Sequence, residues 1–174
     1  MILSGPEIRS QVEAGRIIIE PFNAGQLNPN SYNYRLAPQL KAVPANARLD
    51  PRLDRQLDIQ EIPPEGLVIE PGRLYLGRTK EVIGSDFFVP TLIGRSSMGR
   101  LGLYLQVSAD LGHIGFVDSW TLELVAIQPI RIYPEMVIGQ VSFWVPTGAR
   151  RLYDGKYTDQ VEPLESRFGR EFKS

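Results

Sequence analysis

The sequence predicts an all-β fold with one short helix at its N-terminus. After residue 15 the chain consists of short apolar runs, rich in Val, Ile, Leu and aromatic residues, with turn residues about every 8–12 positions. The 14 prolines and 16 glycines serve mainly as loop residues between these runs. Such a chain packs as a sandwich, a jelly roll or a distorted barrel. The runs are RIIIEPF, GLVIEPGRLYLGRT, FFVPTLIGR, LGLYLQVSA, WTLELVAI and IRIYPEMVIGQVSFWVP.

The N-terminal stretch LSGPEIRSQVEAGRI predicts the helix. Ser4 is a favourable N-cap residue, and Glu7 three positions later completes a capping box. Ile8 and Val12 lie four positions apart and would form the buried stripe of the helix. Gly15 can end the helix, because glycine readily adopts the left-handed conformation that often follows a helix.

Two polar segments lie outside the apolar runs. Residues 41–63, KAVPANARLDPRLDRQLDIQEIP, contain prolines and many charges, and we interpret them as a surface excursion. The segment 147–174 is charged and poor in apolar runs. Such a tail frays, or it folds over a ligand or a neighbouring subunit. A chain of 174 residues without an internal repeat predicts a single domain, residues 1–174.

Charge and hydropathy exclude several classes of partner. With 19 basic and 20 acidic residues the formal charge is -1, so the chain has no general electrostatic attraction for nucleic acid. No apolar run approaches the roughly 20 residues that span a bilayer, and the first residues do not resemble a signal peptide. We therefore expect a cytoplasmic protein whose partners include neither a membrane nor a nucleic acid.

The absence of cysteine and the single histidine, His113, restrict the chemistry further. Without cysteine the chain has no disulfide, no thiol nucleophile and no thiolate ligand for a metal. A zinc-dependent nucleobase deaminase uses His and Cys ligands to hold its zinc-bound hydroxide. The composition therefore excludes zinc chemistry of this type.

The segment 94–103, GRSSMGRLGL, places two arginines, two serines and three glycines between apolar runs. Glycine lets the backbone approach a ligand closely, while hydroxyl, amide and guanidinium groups donate hydrogen bonds to phosphate oxygens. The segment is therefore a candidate anion-binding site. Composition alone leaves a polar turn with solvated arginines as an equally good interpretation.

Glu123 lies within the apolar run WTLELVAI. Because side chains alternate along a strand, its carboxylate would point to the face opposite Leu122 and Leu124. A carboxylate held there can accept and donate a proton, which is what general acid–base catalysis needs. An exposed glutamate on the outer face of a strand is the alternative.

Several of these segments together resemble the dCTP deaminase branch of the dCTP deaminase and dUTPase superfamily. They are MILSGPEIRSQVEAGRIIIEPF, GRSSMGRLGL, then WTLEL about twenty residues later, IYPEMVIGQVSF and LYDGKYTDQ. The resemblance extends over nearly the whole chain, in matching order. It implies a distorted jelly-roll-like β-barrel, assembled as a homotrimer whose active sites are shared between subunits. It also implies that the C-terminal segment closes over the nucleotide.

The same resemblance implies hydrolytic deamination of dCTP to dUTP and ammonia without a metal hydroxide. Glu123 matches the family's proton shuttle, while Ser96 and Arg100 match residues that orient the water and the carboxylate. The implied nucleotide-binding residues are Arg95, Ser97, Met98, Gly99, His113, Thr121, Leu122, Gln140, Tyr153, Lys156 and Gln160. The resemblance further implies Mg2+ held by the triphosphate oxygens and water, with no metal ligand from the protein and no zinc.

Three positions depart from the family pattern, and they leave the substrate open. His113 replaces an aspartate that contacts the deoxyribose in deaminases and activates the attacking water in dUTPases. Asn33 also replaces an aspartate, and Ala126 replaces an asparagine. The change at His113 disfavours a dUTP pyrophosphatase or a bifunctional enzyme, unless Asp110 or Asp118 takes over. The remaining alternatives are a modified cytosine nucleotide as substrate and a nucleotide-binding homologue without catalysis.

Overall fold

The computed structural model describes residues 1–105, 109–155, 157 and 162–172. Its described part is mostly β, as predicted, with few helical turns. The elements are α1 (Gly5–Glu13), β1 (Ile18–Glu20), β2 (Tyr32–Arg35), β3 (Gln39–Ala42), β4 (Ile59–Glu61), β5 (Leu67–Ile69), β6 (Leu74–Gly84), β7 (Val89–Gly94), α2 (Ser96–Gly99), β8 (Leu103–Leu105), β9 (Val117–Ala126), β10 (Ile130–Ile132) and β11 (Val137–Trp144). Single turns of 3-10 helix cover Ala24–Gln26 and Phe168–Phe172.

The strands of the described residues form three antiparallel sheets. The largest has the order β4-β3-β6-β9-β8, with β1 paired to one end of β6. A three-stranded sheet has the order β2-β11-β7, and β5 pairs with β10. The long strands β6 and β9 dominate the structure, and their register places Leu76 opposite Glu123 and Arg78 opposite Thr121.

The expected barrel does not close among the described residues. The sheets meet instead at isolated bridges, Leu36 with Thr79 and Thr91 with Leu111. Near the first bridge the β6–β9 register shifts between Arg78 and Val82, which marks a bulge. Beside this bridge the N–H of Ala37 donates a hydrogen bond of 2.9 Å to the carbonyl of Arg78, so the neighbouring sheet meets β6 at the bulge through an isolated contact and not through a continuous ladder.

The N-terminal helix forms where the sequence predicts it, but the carboxylate of Glu7 accepts a hydrogen bond from Nε2 of Gln11 instead of completing the capping box. Ser4 is the N-cap, and its Oγ accepts a hydrogen bond from the backbone N–H of Glu7 at 3.4 Å. Ile8 is completely buried, and Val12 packs against the core. Gly15 follows the helix with a φ of 68°, the left-handed conformation that favours glycine.

The core determines which face of β9 is available for chemistry. Leu122 and Leu124 have no exposed surface and belong to the main hydrophobic cluster. Burying each such side chain contributes about 1.5–3 kcal/mol relative to leaving it exposed. A slip of one residue would expose both leucines, so the register of β9 is strongly determined. The alternate residues Thr121 and Glu123 are therefore held on the opposite face.

Most of residues 41–63 lie at the surface, as predicted, and β4 is exposed throughout. This segment contains the end of β3 and all of β4, and the loop between them lies against the rest of the chain. Lys41 is only 2% exposed although its side chain carries a charge. The composition did not reveal the burial of Lys41, because the carboxylates that pair with it, Glu162 and Glu165, are far away in sequence.

Candidate active site

A cavity of about 930 Å3 lies on the face of the largest sheet that is turned away from the core. Strands β6 and β9 contribute Leu74, Leu76, Thr121 and Glu123 to its lining. Most of the remaining lining is apolar and comes from the loop after β3, the segment before β9 and the tail. Such a concave, largely apolar cavity with a few polar groups is typical of a small-molecule site.

Glu123 has the orientation that its sequence neighbours predict. It is half-buried and lines the cavity, while Leu122 and Leu124 on either side are fully buried in the core. Across β6 its neighbour is Leu76, which also lines the cavity. The strand thus presents a carboxylate to a space that is shielded by apolar side chains.

The C-terminal segment forms one wall of this cavity. The backbone N–H of Leu164 donates a hydrogen bond of 3.0 Å to Oγ1 of Thr121, two residues from Glu123. The next residue, Glu165, accepts hydrogen bonds from Nζ of Lys41 at 2.9 Å and from the N–H of Leu57 at 2.8 Å. The tail is therefore bound both to the strand that carries Glu123 and to the opposite side of the cavity.

The pKa of Glu165 reflects these contacts. Partial burial acts to raise it, but hydrogen bonds from Lys41, from the N–H of Leu57 and from its own N–H, together with the charge of Lys41, outweigh burial. The net result is a pKa below the ordinary value of a glutamate. The folded structure therefore favours the charged form of this carboxylate.

Aromatic rings form a second wall. The ring of His113 stacks on that of Tyr153, with centroids 5.1 Å apart, and Phe116 meets Tyr153 edge-on at 5.7 Å. The backbone joins the same segments, because the N–H of Tyr153 donates to the carbonyl of Ile114 at 2.8 Å. His113 thus lies beside the cavity in contact with the tail.

The arginine- and serine-rich segment forms a separate group around α2. Arg95 is its N-cap, Arg100 its C-cap, and Ser96 is exposed in its first turn. Met98 is 8% exposed and anchors the turn in the core. Within the described chain, none of the residues 95–100 lines the cavity that holds Glu123.

Gln140 and Asn33 lie near this second group. They are register partners in β11 and β2, and β7 on the other side of β11 leads directly into α2. Oγ of Ser31 donates to Oε1 of Gln140 at 2.9 Å, and Nδ2 of Asn28 donates to Oδ1 of Asn33 at 2.9 Å. The first of these bonds engages the amide oxygen of Gln140 and so fixes the orientation of that amide.

The predicted residues therefore fall into two groups on one chain. Glu123, Thr121, His113 and Tyr153 line the cavity. Arg95, Ser96, Ser97, Gly99 and Arg100 lie on or beside α2, and Gln140 lies on the neighbouring sheet. The side chains of Met98 and Leu122 belong to the core, so only their main-chain groups can meet a ligand. Lys156 and Gln160 lie outside the described residues.

Sequence reasoning missed three residues that shape the cavity, namely Lys41, Leu57 and Glu165. Lys41 lies between Leu40 and an alanine, and a lysine in an apolar strand signals a buried charge that needs a partner. The partner could not be identified, because it is 124 residues away.

The described residues contain neither a membrane-spanning helix nor a metal-binding cluster of side chains. No helix among them has both the length and the apolar character that crossing a bilayer demands. No group of three or more His, Asp or Glu side chains in the described part of the chain is arranged to hold a metal ion.

Known proteins resemble the chain in sequence. Residues 2–145 match the family model described as dCTP deaminase-like. The chain is 45% identical over 174 residues to "dCTP deaminase, dUMP-forming" of Hathewaya histolytica, covering 99% of this chain and 100% of the relative. It is 49% identical over 158 residues to the protein of the same name from Clostridium botulinum (strain Alaska E43 / Type E3), with 90% of each covered.

A solved structure resembles the fold. The crystal structure of 2'-deoxycytidine 5'-triphosphate deaminase from Agrobacterium tumefaciens has a TM-score of 0.66 and 20% sequence identity, covering 83% of this chain. This chain spans 48% of the length of that one. At this identity the likeness concerns the fold alone. The family model and the two sequence relatives show that the chain belongs to the dCTP deaminase-like family.

Proposed function

We propose that this chain catalyses the hydrolytic deamination of dCTP to a uracil nucleotide and ammonia. The observation that carries the proposal is the position of Glu123, which lines a mainly apolar cavity while its neighbours are buried in the core. A carboxylate placed in this way can take a proton from water and return it to a leaving group. The relatives named dCTP deaminase support the choice of substrate.

In the proposed reaction Glu123 takes a proton from a water molecule, and the oxygen adds to C4 of cytosine. The C4–N3 double bond opens toward N3, which receives that proton from the carboxylic acid. Glu123 then moves the proton of the new hydroxyl group to the C4 amine. The C–N bond breaks, ammonia leaves, and C4 becomes the carbonyl of uracil. Holding the water and the base in one orientation accounts for much of the rate increase.

Assembly of a homotrimer would complete the site. Ser96 and Arg100, which the resemblance assigns to orienting the water and the carboxylate, lie on the α2 group and not in the Glu123 cavity. We infer that α2 of one subunit faces the Glu123 cavity of a neighbour. Arg95 and the 96–100 backbone would then bind phosphates together with Gln140, Tyr153, Lys156 and Gln160.

Magnesium would enter with the triphosphate. The described residues offer no cluster of acidic and histidine side chains for an ion, and Glu165 in the cavity is engaged by Lys41. Phosphate oxygens and water would therefore be its ligands. The bound ion would neutralise part of the triphosphate charge.

We propose dUMP as the product, because both relatives are named dUMP-forming. This differs from the dUTP that the sequence resemblance led us to expect. Forming dUMP requires a second water to break the bond between the α- and β-phosphates, so that pyrophosphate leaves. One observation favours dUTP as a second candidate. His113 lines the cavity at the position where the resemblance implies an aspartate that activates the attacking water in dUTPases. This chain lacks that aspartate, so the step that would release pyrophosphate has no such base.

The test is to incubate the purified protein with dCTP and magnesium and to measure ammonia, pyrophosphate and the nucleotide product in parallel. Ammonia and pyrophosphate in equal amounts would support dUMP, and ammonia alone would support dUTP. Glu123→Gln should lower ammonia release at least about 100-fold. Glu70→Gln changes an exposed carboxylate and is the matched control. Tight binding of dCTP without ammonia would identify a non-catalytic nucleotide-binding homologue.

A further inference from the structure

Lys41 is a buried cation whose partners both come from the C-terminal segment. Its side chain is 3% exposed, and its Nζ lies 2.9 Å from Oε1 of Glu165 and 3.1 Å from Oε1 of Glu162. Lysine is almost never buried unless it is paired. The pairing of Lys41 with Glu162 and Glu165 therefore determines where this part of the tail lies.

Lys41 and Glu123 occupy the same row of the largest sheet. Lys41 pairs with Leu76, and Leu76 pairs with Glu123. Directly paired residues of antiparallel strands point to the same face, and neighbouring strands lie about 4.8 Å apart. Lys41 is thus two strands, or about 10 Å, from Glu123 on the cavity side of the sheet.

The tail crosses the strands between these two residues. Leu164 is hydrogen-bonded to Thr121 on β9, while Glu165 is bonded to Lys41 on β3. Two successive residues therefore reach from one side of β6 to the other. Leu164, Glu165 and Leu76 all line the cavity. This segment of the tail is bound beside the strand that carries Glu123 and anchored at its far end by Lys41.

Glu165 also holds the loop after β3. Its Oε1 accepts the backbone N–H of Leu57 at 2.8 Å, and Leu57 lines the cavity as well. One carboxylate thus joins three segments that are distant in sequence. If the tail left, Lys41 would lose both of these carboxylate partners, and removing the partner of a buried charge is strongly unfavourable. The ion pair therefore couples the position of the tail to that of the loop.

We propose that Lys41 is a positioning residue of the Glu123 site. By pairing with Glu165 and Glu162 it holds residues 162–165 across the sheet, so that the chain itself supplies the wall next to Glu123. This proposal rests on the proposed function where it concerns catalysis. It extends that function by naming the residue that shapes the nucleotide site from the opposite side of the cavity.

The position of the tail can be measured without substrate. Trp120 lines the cavity, and replacing Trp144, the second of two tryptophans, with Phe leaves Trp120 as the only tryptophan fluorophore. In this background Lys41→Met should increase acrylamide quenching of Trp120 at least twofold. Lys41→Arg keeps the charge and should restore most of the protection. Lys80→Met is the matched control, because Lys80 pairs with the exposed Glu135 outside the cavity.

The kinetic measurements use the protein that keeps Trp144. Lys41→Met should raise KM for dCTP about tenfold or more, with a smaller change in kcat, and Lys41→Arg should reverse most of this effect. If Lys41→Met does not fold, the double variant Glu162→Gln, Glu165→Gln keeps the lysine and should show both effects. Unchanged quenching and unchanged KM in the folded variants would overturn the proposal. If the wild type releases no ammonia, the proposed function fails, and quenching alone decides the role of Lys41.

Discussion

The imidazole ring of His113 lies parallel to the phenol ring of Tyr153, with 5.1 Å between centroids and 5° between planes. The two rings join the segment before β9 to the C-terminal segment. Both residues line the cavity that contains Glu123. Besides the hydrogen bond from Leu164 to Thr121, the tail is therefore held by stacking on His113 and by the ion pairs of Lys41.

Because His113 stacks on Tyr153, replacing it should weaken the binding of dCTP. A stacked aromatic pair contributes about 0.5–1.5 kcal/mol beyond its buried area. His113→Ala should therefore raise KM for dCTP roughly two- to tenfold by loosening Tyr153. His113→Phe keeps the stacking and should retain most of the affinity. Steady-state kinetics with dCTP measures KM in both variants. An equal rise in KM in the two variants would indicate that a ring nitrogen of His113 contacts the substrate instead.

Acid should release the tail. Because the folded-state pKa of Glu165 is lowered, its stabilising contribution is present above the unfolded pKa of about 4.3 and is lost as the pH falls through the folded value. Quenching of Trp120 should be constant from about pH 8 to about pH 5 and should rise below about pH 4. The other titratable groups at the cavity or on Lys41 are Asp50, Arg55, His113, Glu123, Tyr153, Tyr157 and Glu162.

The variant Glu165→Gln distinguishes protonation of Glu165 from protonation of the other groups at the cavity. The variant has no ionisable group at position 165, so part of the acid-induced rise in quenching should disappear. Its quenching near neutral pH should already exceed that of the wild type, because an amide pairs less strongly with Lys41. Identical pH profiles in the two proteins would rule out Glu165 as the responsible group.

Truncating a side chain on the core face of β9 should lower the free energy of unfolding. Leu124 is completely buried, and Leu124→Ala should lower the free energy of unfolding by about 2–5 kcal/mol. Ile127, just after the same strand, is 65% exposed, and Ile127→Ala should change stability by no more than about 0.5 kcal/mol. Denaturant unfolding monitored by circular dichroism gives both values. A small cost at Leu124 would contradict the assigned register.

The hydrogen-bonded group formed by Asn28, Ser31, Asn33 and Gln140 should affect binding and not chemistry. Ser31 is 4% exposed and donates to Oε1 of Gln140. A hydrogen bond of this kind contributes about 0.5–1.5 kcal/mol, so Ser31→Ala should raise KM for dCTP roughly two- to tenfold with little change in kcat. Kinetics with dCTP tests this, and a loss confined to kcat would argue against a role in holding Gln140.

Local sequence signals predicted much of the fold. The Ser4 cap of α1, the apolar runs of the larger strands and the alternation around Glu123 all appear in the structure as expected. These features depend on neighbouring residues, which the sequence displays directly. Strands β2, β3 and β4 were missed, because their polar residues, such as Asn33 and Lys41, are matched by partners elsewhere in the chain.

The sequence by itself determined the β class of the fold, the N-terminal helix, the exclusion of cysteine-based chemistry and the face of β9 to which Glu123 belongs. Only the tertiary structure decided that Lys41 and Glu165 meet, that His113 stacks on Tyr153, and that α2 lies apart from the Glu123 cavity. The reason is physical. Periodicity and capping act over a few residues, whereas ion pairs and stacked rings join segments whose separation in sequence says nothing about their distance in space.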